Sequence, residues 1–490
     1  MLKKLNTLSL NEISGKVSVP GYDRKALSAG IVHVGLGNFH RSHQAVYLNR
    51  LFHQGEGYDW GVLGAGIMTQ DALMRDKLLE QDCLYSVIEL DPQGYTGEVC
   101  GSVVDFAEVS NHGVFRAMCL PEIRIVSLTI TEGGYYIDPN TEGFDCKNRV
   151  IQAETDINEP QTVFGIIVKA LKYRKENGMP PFTILSCDNI PKNGHAARNA
   201  VVGVAEIMAP DMAKWIADNV AFPSSMVDRI TPATGKRELD LVREQFGYQD
   251  DCVVVCETFS QWVIEDDFPQ GRPALEKVGV EFVNDVTMHE LMKIRILNAG
   301  HAAIAYPSRL LGIDYAHDAM ASRVIVDYLD KLEREETIPT LVTSAEVDYV
   351  QYFEKVKERF ANPEIADTID RLCMDGSNRQ PKFILPIIHN RLQNGKAVRG
   401  LALEVALWCR YCAGVNERGD PVTINDSKAD LLKENARKAK TNPAAFLGMS
   451  DVFGTLSDNG IFLSEFSNSL NGLWRKGTQE MLRDYVARQD

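Results

Sequence analysis

Hydrophobic residues follow one pattern in the first part of the chain and a different one in the second. Before about residue 286, short β-branched or apolar runs bounded by glycine and polar residues predict buried strands, and stretches with helical spacing lie between them. The predicted strands are 30–37, 58–67, 122–131, 181–187 and 252–258, and the helical stretches include 41–55 and 162–178. Strands that alternate with helices indicate a parallel sheet with helices on its faces.

After residue 286 the strand pattern nearly disappears and long helical patterns replace it. The predicted helices are 287–305, 316–336, 346–361, 364–373, 381–394 and 399–413. We therefore place a domain boundary near residue 286. Residues 1–286 are predicted to form an α/β domain, and residues 287–490 a mostly α-helical domain.

Composition and charge narrow the class of protein. The chain has 490 residues, of which 44% are hydrophobic, and a net charge of -15. An acidic chain without a basic stripe is not expected to bind nucleic acid. No apolar run reaches the roughly 18 residues of a membrane span, and the N-terminus lacks the apolar core of a signal peptide. We expect a cytoplasmic protein without a membrane partner, whose cysteines, including the Cys409–Cys412 pair, are reduced core residues.

The segment VGLGNFHR follows the first predicted strand and opens a helix. Gly35 would allow a tight turn, and Gly37 would let the main chain approach a pyrophosphate. Asn38 and Phe39 follow at the helix start and complete the predicted cofactor-binding set. His40 takes the place of the usual third glycine, so an ordinary turn between strand and helix is the alternative to dinucleotide binding.

Asp71 is the first acidic residue after the second predicted strand. A carboxylate at this position would bind the adenosine ribose and repel a 2′-phosphate, which favours NAD over NADP. Asp71 could instead cap the helix that follows.

The segment ELMKIRILNAGH, at residues 290–301, places polar groups in an apolar helical pattern. An α-helix turns by about 100° per residue. Around its axis, Lys293 would lie about 60° from Glu290, Asn298 about 80° from Glu290 and His301 about 20° from Glu290. All four side chains could therefore line one wall of a cleft. The alternative is an ordinary amphipathic helix.

The polar groups suit alcohol oxidation. Asp188 and Asn189 follow the predicted strand 181–187, and the ends of parallel strands are where open α/β sheets bind ligands. Lys293, desolvated by apolar neighbours, could accept the hydroxyl proton while hydride leaves for a nicotinamide. Asn189 and Asn298 could donate hydrogen bonds to the developing alkoxide, and His301 could orient it. The scheme needs no metal.

Seven segments along the chain resemble one family. The segments are GLGNFHRSHQAVY, SLTITEGGYY, SCDNIPKNG, MVDRITP, ETFSQWVIEDDFPQGRP, KIRILNAGH and MDGSNRQPKF. Together, over residues from about 20 to 480, they resemble the polyol-specific long-chain dehydrogenases. The resemblance implies a Rossmann-type NAD-binding domain over 1–286, a helical substrate-binding domain over 287–490, and a monomer.

The resemblance also implies residue roles. Lys293 would be the general base of a metal-independent reaction, Asn189 and Asn298 the oxyanion-stabilising pair, and His301 a substrate-binding group. Arg371 and Arg379 would approach the substrate hydroxyls. Glu132 and Glu290 would flank the lysine, and Asp71 would hold the adenosine ribose.

The leading reaction is NAD-dependent interconversion of D-mannitol and D-fructose. D-Arabinitol oxidation and fructuronate reduction remain alternatives, because LNAGH is closer to the arabinitol pattern and Arg379 stands where lysine is common. Gln70 replaces a second acid found in some NAD-specific members. A non-catalytic NAD sensor would not need Lys293, Asn298 and His301, and a phosphosugar dehydrogenase would need more basic groups.

Overall fold

The structure is a computed structural model that describes residues 2–138, 141, 143–343 and 347–488. The chain divides into two compact units, Met1–Thr287 and Met288–Asp490, called here unit 1 and unit 2. Each unit is described by itself.

Unit 1 is built on a parallel sheet. In chain order its strands are β1 (Ala29–Val34), β2 (Gly61–Ala65), β3 (Tyr85–Glu89), β4 (Thr96–Cys100), β5 (Val103–Phe106), β6 (Ile125–Leu128), β7 (Thr183–Ser186), β8 (Ser225–Asp228), β9 (Val254–Cys256), β10 (Gln261–Glu265) and β11 (Glu281–Val283). The main sheet has the order β5-β2-β1-β6-β7, and all of its neighbours pair in parallel. Two small sheets, β4-β3-β9 and β11-β10-β8, accompany it.

The strand order reverses at β1. The chain runs outward from β1 through β2 to β5, then returns to the other side of β1 for β6 and β7. This doubly wound arrangement is Rossmann-type, and its ligand crevice lies outside the carboxyl ends of the strands at the reversal. The predicted fold class is therefore confirmed for this part of the chain, and the crevice falls beside the turn that follows β1.

Helices cover the main sheet on both faces because its strands are apolar on both. Val32 points into a core that includes Phe164 and Val201, whereas Ile31 points into a second core with Phe52 and Trp262. The helices of unit 1 are α1 (Leu10–Ile13), α2 (Asn38–Ser42), α3 (Gln44–His53), α4 (Thr69–Glu80), α5 (Asn111–Met118), α6 (Arg149–Gln152), α7 (Val163–Glu176), α8 (Asn193–Met208), α9 (Pro210–Asn219) and α10 (Lys236–Leu241).

Unit 2 is mostly helical over its described residues. Its helices are α11 (Thr287–Met292, which begins in unit 1), α12 (Ala299–Leu311), α13 (Ala316–Ala321), α14 (Arg323–Leu332), α15 (Tyr349–Phe360), α16 (Ile369–Cys373), α17 (Gly376–Phe383), α18 (Leu385–Gln393), α19 (Arg399–Cys412), α20 (Ala429–Ala439), α21 (Ala444–Leu447), α22 (Ser450–Phe453), α23 (Gly460–Lys476) and α24 (Thr478–Ala487). Every residue of α19 after Arg399 is buried, including Glu404, so this helix is the centre of the unit.

Several predicted elements have different limits in the structure. The helix predicted over 41–55 is broken at His43, whose φ of -121° and ψ of -88° are not helical. The helix predicted over 316–336 is interrupted at Ser322. The strand predicted over 252–258 pairs with β3, outside the main sheet. Residues 344–346 lie outside the described residues, so the start of the helix predicted at 346 does too.

Among the described residues, no helix combines the length and the apolar character that crossing a membrane requires.

Candidate active site

The glycine turn lies at the carboxyl end of β1, where the strand order reverses. Gly35 has a φ of 92°, and a Cβ on it would lie 2.2 Å from the carbonyl oxygen of Thr129, so only glycine fits. Gly37 is different, because the nearest atom to an added Cβ would be the Gly35 oxygen at 3.8 Å. The space above Gly37 is therefore open to an approaching group, which is what a bound pyrophosphate requires.

Asn38 and Phe39 are held by neighbours within unit 1. The Asn38 side-chain amide donates to Thr234 Oγ1 at 3.1 Å, and its carbonyl oxygen accepts from Arg41 at 2.7 Å. The Phe39 ring stacks on His43 with a centroid distance of 5.0 Å. These contacts fix the start of α2. The contribution of Asn38 and Phe39 to a cofactor site would therefore come mainly from their main chain.

Asp71 lies in the first turn of α4, just beyond β2. Its carboxylate accepts a hydrogen bond from the main-chain N–H of Met68 at 2.8 Å and leans over Gly66, where an added Cβ would lie 2.3 Å from Oδ2. Asp71 is thus a helix-capping residue in the structure. The position beyond the second strand is also that of the predicted ribose contact, so both roles stay available to the same side chain.

Asn189 and Glu132 follow neighbouring strands, and a buried carboxylate organises both loops. Asp188 accepts from the main-chain N–H groups of Ile130 at 2.9 Å and Thr131 at 2.8 Å. Burial raises the pKa of Asp188, and these hydrogen bonds oppose that rise. Since β6 and β7 are parallel neighbours, Asn189 and Glu132 leave the sheet at the same edge, and both are exposed.

In unit 2, Lys293 and Asn298 are the first and last residues of a π-helical segment that joins α11 to α12. The segment is defined by a bond from the Ala299 N–H to the Ile294 carbonyl, five residues back. In an α-helix, residues five apart would point about 140° away from each other. The wider π-helical turn, whose hydrogen bonds join residues five apart, reduces that angle and brings Lys293 and Asn298 to the same side of the helix.

Lys293 and Glu290 are both buried, each at 8% exposure. Glu290 lies three residues before Lys293 in the same helical run. The α-helical angles expected for 290–301 were wrong within 293–298, because the helix widens there.

His301 and the two arginines form a cluster in unit 2. The His301 ring stacks on Phe360 at 4.1 Å, and its Nε2 lies 4.0 Å from Asp367, which also pairs with Arg371. Arg379 donates to the main-chain carbonyl oxygens of Arg371 at 3.3 Å and Leu372 at 3.0 Å. Burial lowers the pKa of His301 to about 3, opposed by Asp367. The imidazole is therefore neutral at neutral pH.

Sequence reasoning missed two groups of residues that shape the site. Tyr135 donates to Asp188 at 2.6 Å, and Thr131 has a φ of 68°, so the TEGGYY segment is a strained loop tied to β7. The adjacent glycines were the available signal. Asp367 contacts both His301 and Arg371, but the sequence gave no signal of this, because Asp367 lies 66 residues from His301.

Over the described part of the chain, no group of three or more His, Cys, Asp or Glu side chains could hold a metal ion.

Comparisons with known proteins agree over nearly the whole chain. Residues 29–277 match the family model "Mannitol dehydrogenase Rossmann domain" and residues 285–474 match "Mannitol dehydrogenase C-terminal domain". The chain is 51% identical to a mannitol 2-dehydrogenase from Cereibacter sphaeroides over 96% of this chain and 99% of that protein. It is 40% identical to mannitol dehydrogenase DSF1 from Saccharomyces cerevisiae over 98% of this chain and 97% of the yeast protein.

Two solved structures share the fold. The mannitol 2-dehydrogenase of Pseudomonas fluorescens, solved as a ternary complex with NAD and D-mannitol, has a TM-score of 0.89 and 37% identity, and covers 99% of this chain and 100% of its own. A D-sorbitol dehydrogenase in substrate-free form has a TM-score of 0.88 and 32% identity, and covers 98% of this chain and 100% of its own. The chain belongs to the mannitol dehydrogenase family.

Proposed function

We propose that this protein is an NAD-dependent polyol dehydrogenase that interconverts D-mannitol and D-fructose. The observation that carries the proposal is the π-helical turn, which puts a buried lysine and an amide donor on one face of unit 2. The 51% identical relative is named a mannitol 2-dehydrogenase, and that name supports the choice of polyol.

NAD is the proposed cofactor, and unit 1 offers the residues to hold it. The open space above Gly37 suits the pyrophosphate, the main chain at Asn38 and Phe39 suits the phosphate oxygens, and Asp71 suits the adenosine ribose. When bound, the nicotinamide supplies the hydride acceptor for alcohol oxidation. An acidic Asp71 favours NAD over NADP because it repels a 2′-phosphate.

Lys293 is the proposed general base. Lys293 is buried in unit 2, which supports a role in taking the hydroxyl proton from a bound alcohol. Asn189 and Asn298 donate hydrogen bonds to the oxygen as negative charge develops on it. Glu132 and Glu290 are proposed to flank the lysine. A mechanism of this kind is independent of a metal ion.

His301, Arg371 and Arg379 are proposed to bind the remaining substrate hydroxyls. The Asp367 carboxylate already balances the charge of Arg371, and Arg379 is bonded to two main-chain carbonyls. Arg379 therefore keeps its positive charge and could pair with the carboxylate of a sugar acid. D-Mannitol is the proposed substrate because of the name of the 51% identical relative, and D-arabinitol and fructuronate stay alternatives.

A panel assay tests the proposal. D-Mannitol, D-arabinitol and D-sorbitol are offered with NAD or NADP, and D-fructose and fructuronate with the reduced cofactors, and the nicotinamide absorbance is followed. The highest kcat/KM is expected for D-mannitol with NAD and for D-fructose with NADH. A higher value for fructuronate would contradict the substrate assignment, and no turnover of any pair would contradict the reaction class.

We further propose that the protein is a cytoplasmic monomer. All ten cysteines are free thiols and most are buried, which fits a reducing compartment. Light scattering coupled to size exclusion should return the mass of one 54.6 kDa chain. A mass twice as large would contradict the monomer.

A further inference from the structure

A chain of hydrogen bonds runs behind the glycine turn, from β6 to the carbonyl of Gly35. His33 Nδ1 lies 2.8 Å from Ser127 Oγ, and His33 Nε2 lies 2.9 Å from Thr129 Oγ1. Thr129 Oγ1 in turn donates to the Gly35 carbonyl oxygen at 2.7 Å. Ser127, His33 and Thr129 are called the relay below.

The direction of each hydrogen bond follows from the donors available. The single hydroxyl hydrogen of Thr129 goes to the Gly35 carbonyl, so Thr129 Oγ1 accepts from His33 Nε2–H, which also lies 3.3 Å from the Gly35 carbonyl oxygen. A neutral imidazole has one donor, which leaves His33 Nδ1 to accept from the Ser127 hydroxyl. Burial lowers the pKa of His33 to about 3, so this neutral tautomer persists at neutral pH.

His40 keeps the His33 ring in place by packing. The two imidazoles stack at 3.5 Å with an interplanar angle of 20°, and both are buried. His40 Nδ1 is buried without a hydrogen-bond partner within the described residues, so the ring acts here by contact. This gives a physical reason for a histidine where dinucleotide-binding turns usually carry a third glycine.

The relay ends on the atom that shapes the turn. The Gly35 carbonyl also accepts from the Gly37 N–H at 2.6 Å, so its direction sets the position of Gly37 and of the open space above it. Thr129 and Gly35 follow β6 and β1, the two strands at which the sheet order reverses. The relay thus joins the two sides of the predicted cofactor crevice.

We propose that His33 and Thr129 are positioning residues that hold the Gly35 carbonyl in the conformation that NAD binding requires. The inference rests on the proposed function, because it assigns these residues to the affinity for that cofactor. The hydrogen bonds of the relay end on the main chain of the glycine turn, so its loss should change cofactor binding and leave the chemical step little affected.

The test compares Thr129, which follows β6, with a threonine of the neighbouring strand β7. Thr129→Val keeps the shape of the side chain and removes both hydrogen bonds, and Thr129→Ser restores them. Thr183→Val is the matched control, because Thr183 is buried in β7 and its hydroxyl has no partner among the described residues. The readouts are the Kd for NADH from fluorescence titration, the KM for NAD, kcat and the KM for D-mannitol.

For Thr129→Val we expect about a ten-fold rise in the Kd for NADH and the KM for NAD, the size expected when the Gly35 carbonyl loses the hydrogen bond from Thr129. In Thr129→Ser and Thr183→Val, the Kd for NADH and the KM for NAD should stay within about two-fold of the wild-type values. In all three variants, kcat and the KM for D-mannitol should also stay within about two-fold. Equal cofactor affinity in Thr129→Val and Thr183→Val would overturn the inference while leaving the proposed function intact.

A second variant protects the test against misfolding. His33→Phe keeps the ring stack with His40, but the phenyl ring can neither donate to Thr129 nor accept from Ser127. The Kd for NADH of this variant should also rise about ten-fold. Unchanged NADH affinity in a folded His33→Phe protein overturns the relay. A wild-type protein that binds no NADH overturns both the relay and the proposed function.

Discussion

Asp188, at the end of β7, accepts a 2.8 Å hydrogen bond from the main-chain N–H of Thr131, in the loop that follows β6. The same carboxylate accepts from Tyr135 at 2.6 Å. Replacing it with alanine removes the acceptor of the two main-chain N–H groups and of the buried Tyr135 hydroxyl, and a lost buried partner costs about 1–3 kcal/mol. We expect Asp188→Ala to lower the free energy of unfolding by about 3 kcal/mol in denaturant titrations. Asp76→Ala, with a side chain 71% exposed, is the control and should stay within about 0.5 kcal/mol of the wild type.

Lys293→Ala should lower kcat by roughly 10²–10⁴, the usual contribution of a general base. The glycine turn belongs to unit 1 and Lys293 to unit 2, so the Kd for NADH should hardly change. The exposed Lys214 provides the control variant, Lys214→Ala, which should turn over like the wild type. Stopped-flow or steady-state absorbance gives the rate, and fluorescence titration the affinity. Wild-type turnover in Lys293→Ala would exclude the lysine as the base.

Chelation should leave the activity unchanged. The proposed mechanism assigns proton transfer to Lys293 and charge stabilisation to two asparagines, so no step needs a metal ion. Dialysis against EDTA followed by the D-mannitol assay measures this. Activity that is lost on dialysis and restored by zinc would show that the lysine mechanism is wrong.

Asp71 can be tested for its two roles with two variants. Asp71→Ala removes both the proposed ribose contact and the hydrogen bond to the Met68 N–H. The preference for NAD over NADP should therefore fall about ten- to a hundred-fold, equivalent to about 1.5–3 kcal/mol. The free energy of unfolding should fall by about 1 kcal/mol, because the helix loses its cap. Asp71→Asn keeps an oxygen for the Met68 N–H but loses the charge that repels a 2′-phosphate. It should therefore lose cofactor preference with little loss of melting temperature.

The control for both variants is again Asp76→Ala, on the same helix. The measurements are the ratio of kcat/KM for NAD and NADP and the thermal midpoint. A ratio that neither variant alters would restrict Asp71 to its capping role.

Glu404 makes the stability of unit 2 depend on pH. Burial raises its pKa to about 8 from an ordinary 4.5, although Gln380 donates to it at 2.6 Å. An acid with a raised folded-state pKa is protonated in both states at low pH. As pH rises from about 4.5 to about 8, the unfolded chain releases this proton more readily, so the fold loses stability.

Linkage puts that loss at about 4 kcal/mol between pH 4.5 and 9. The Glu404→Gln variant has no acid at this position, so its free energy of unfolding should not fall in this way as pH rises. The difference in unfolding free energy between the variant and the wild type should therefore grow with pH. Urea titrations at pH 5 and pH 9 measure it, with the exposed Glu480→Gln as control. A difference that is independent of pH would show that Glu404 is ionised in the folded protein.

The sequence predicted the parallel sheet and the helical second part because burial on both faces of a strand, and on one face of a helix, leaves a periodic signal. It also predicted the position of the glycine turn. The interruption at His43 and the π-helical turn at Lys293–Asn298 left no such signal, because both depend on which main-chain bonds tertiary packing selects. The strand at 254–256 was recognised, but its pairing with β3 depends on a contact between residues about 167 apart, which no local pattern encodes.

The low pKa of His301 has a consequence for reversibility. A neutral imidazole carries one donor and one acceptor nitrogen, whereas an imidazolium only donates. Toward an alcohol the ring can accept the hydroxyl hydrogen, and toward the corresponding ketone it can donate to the carbonyl oxygen after exchanging tautomers. In the proposed site, a ring that burial keeps uncharged could hydrogen-bond both the reduced and the oxidised form of a polyol without a change in the charge of the site.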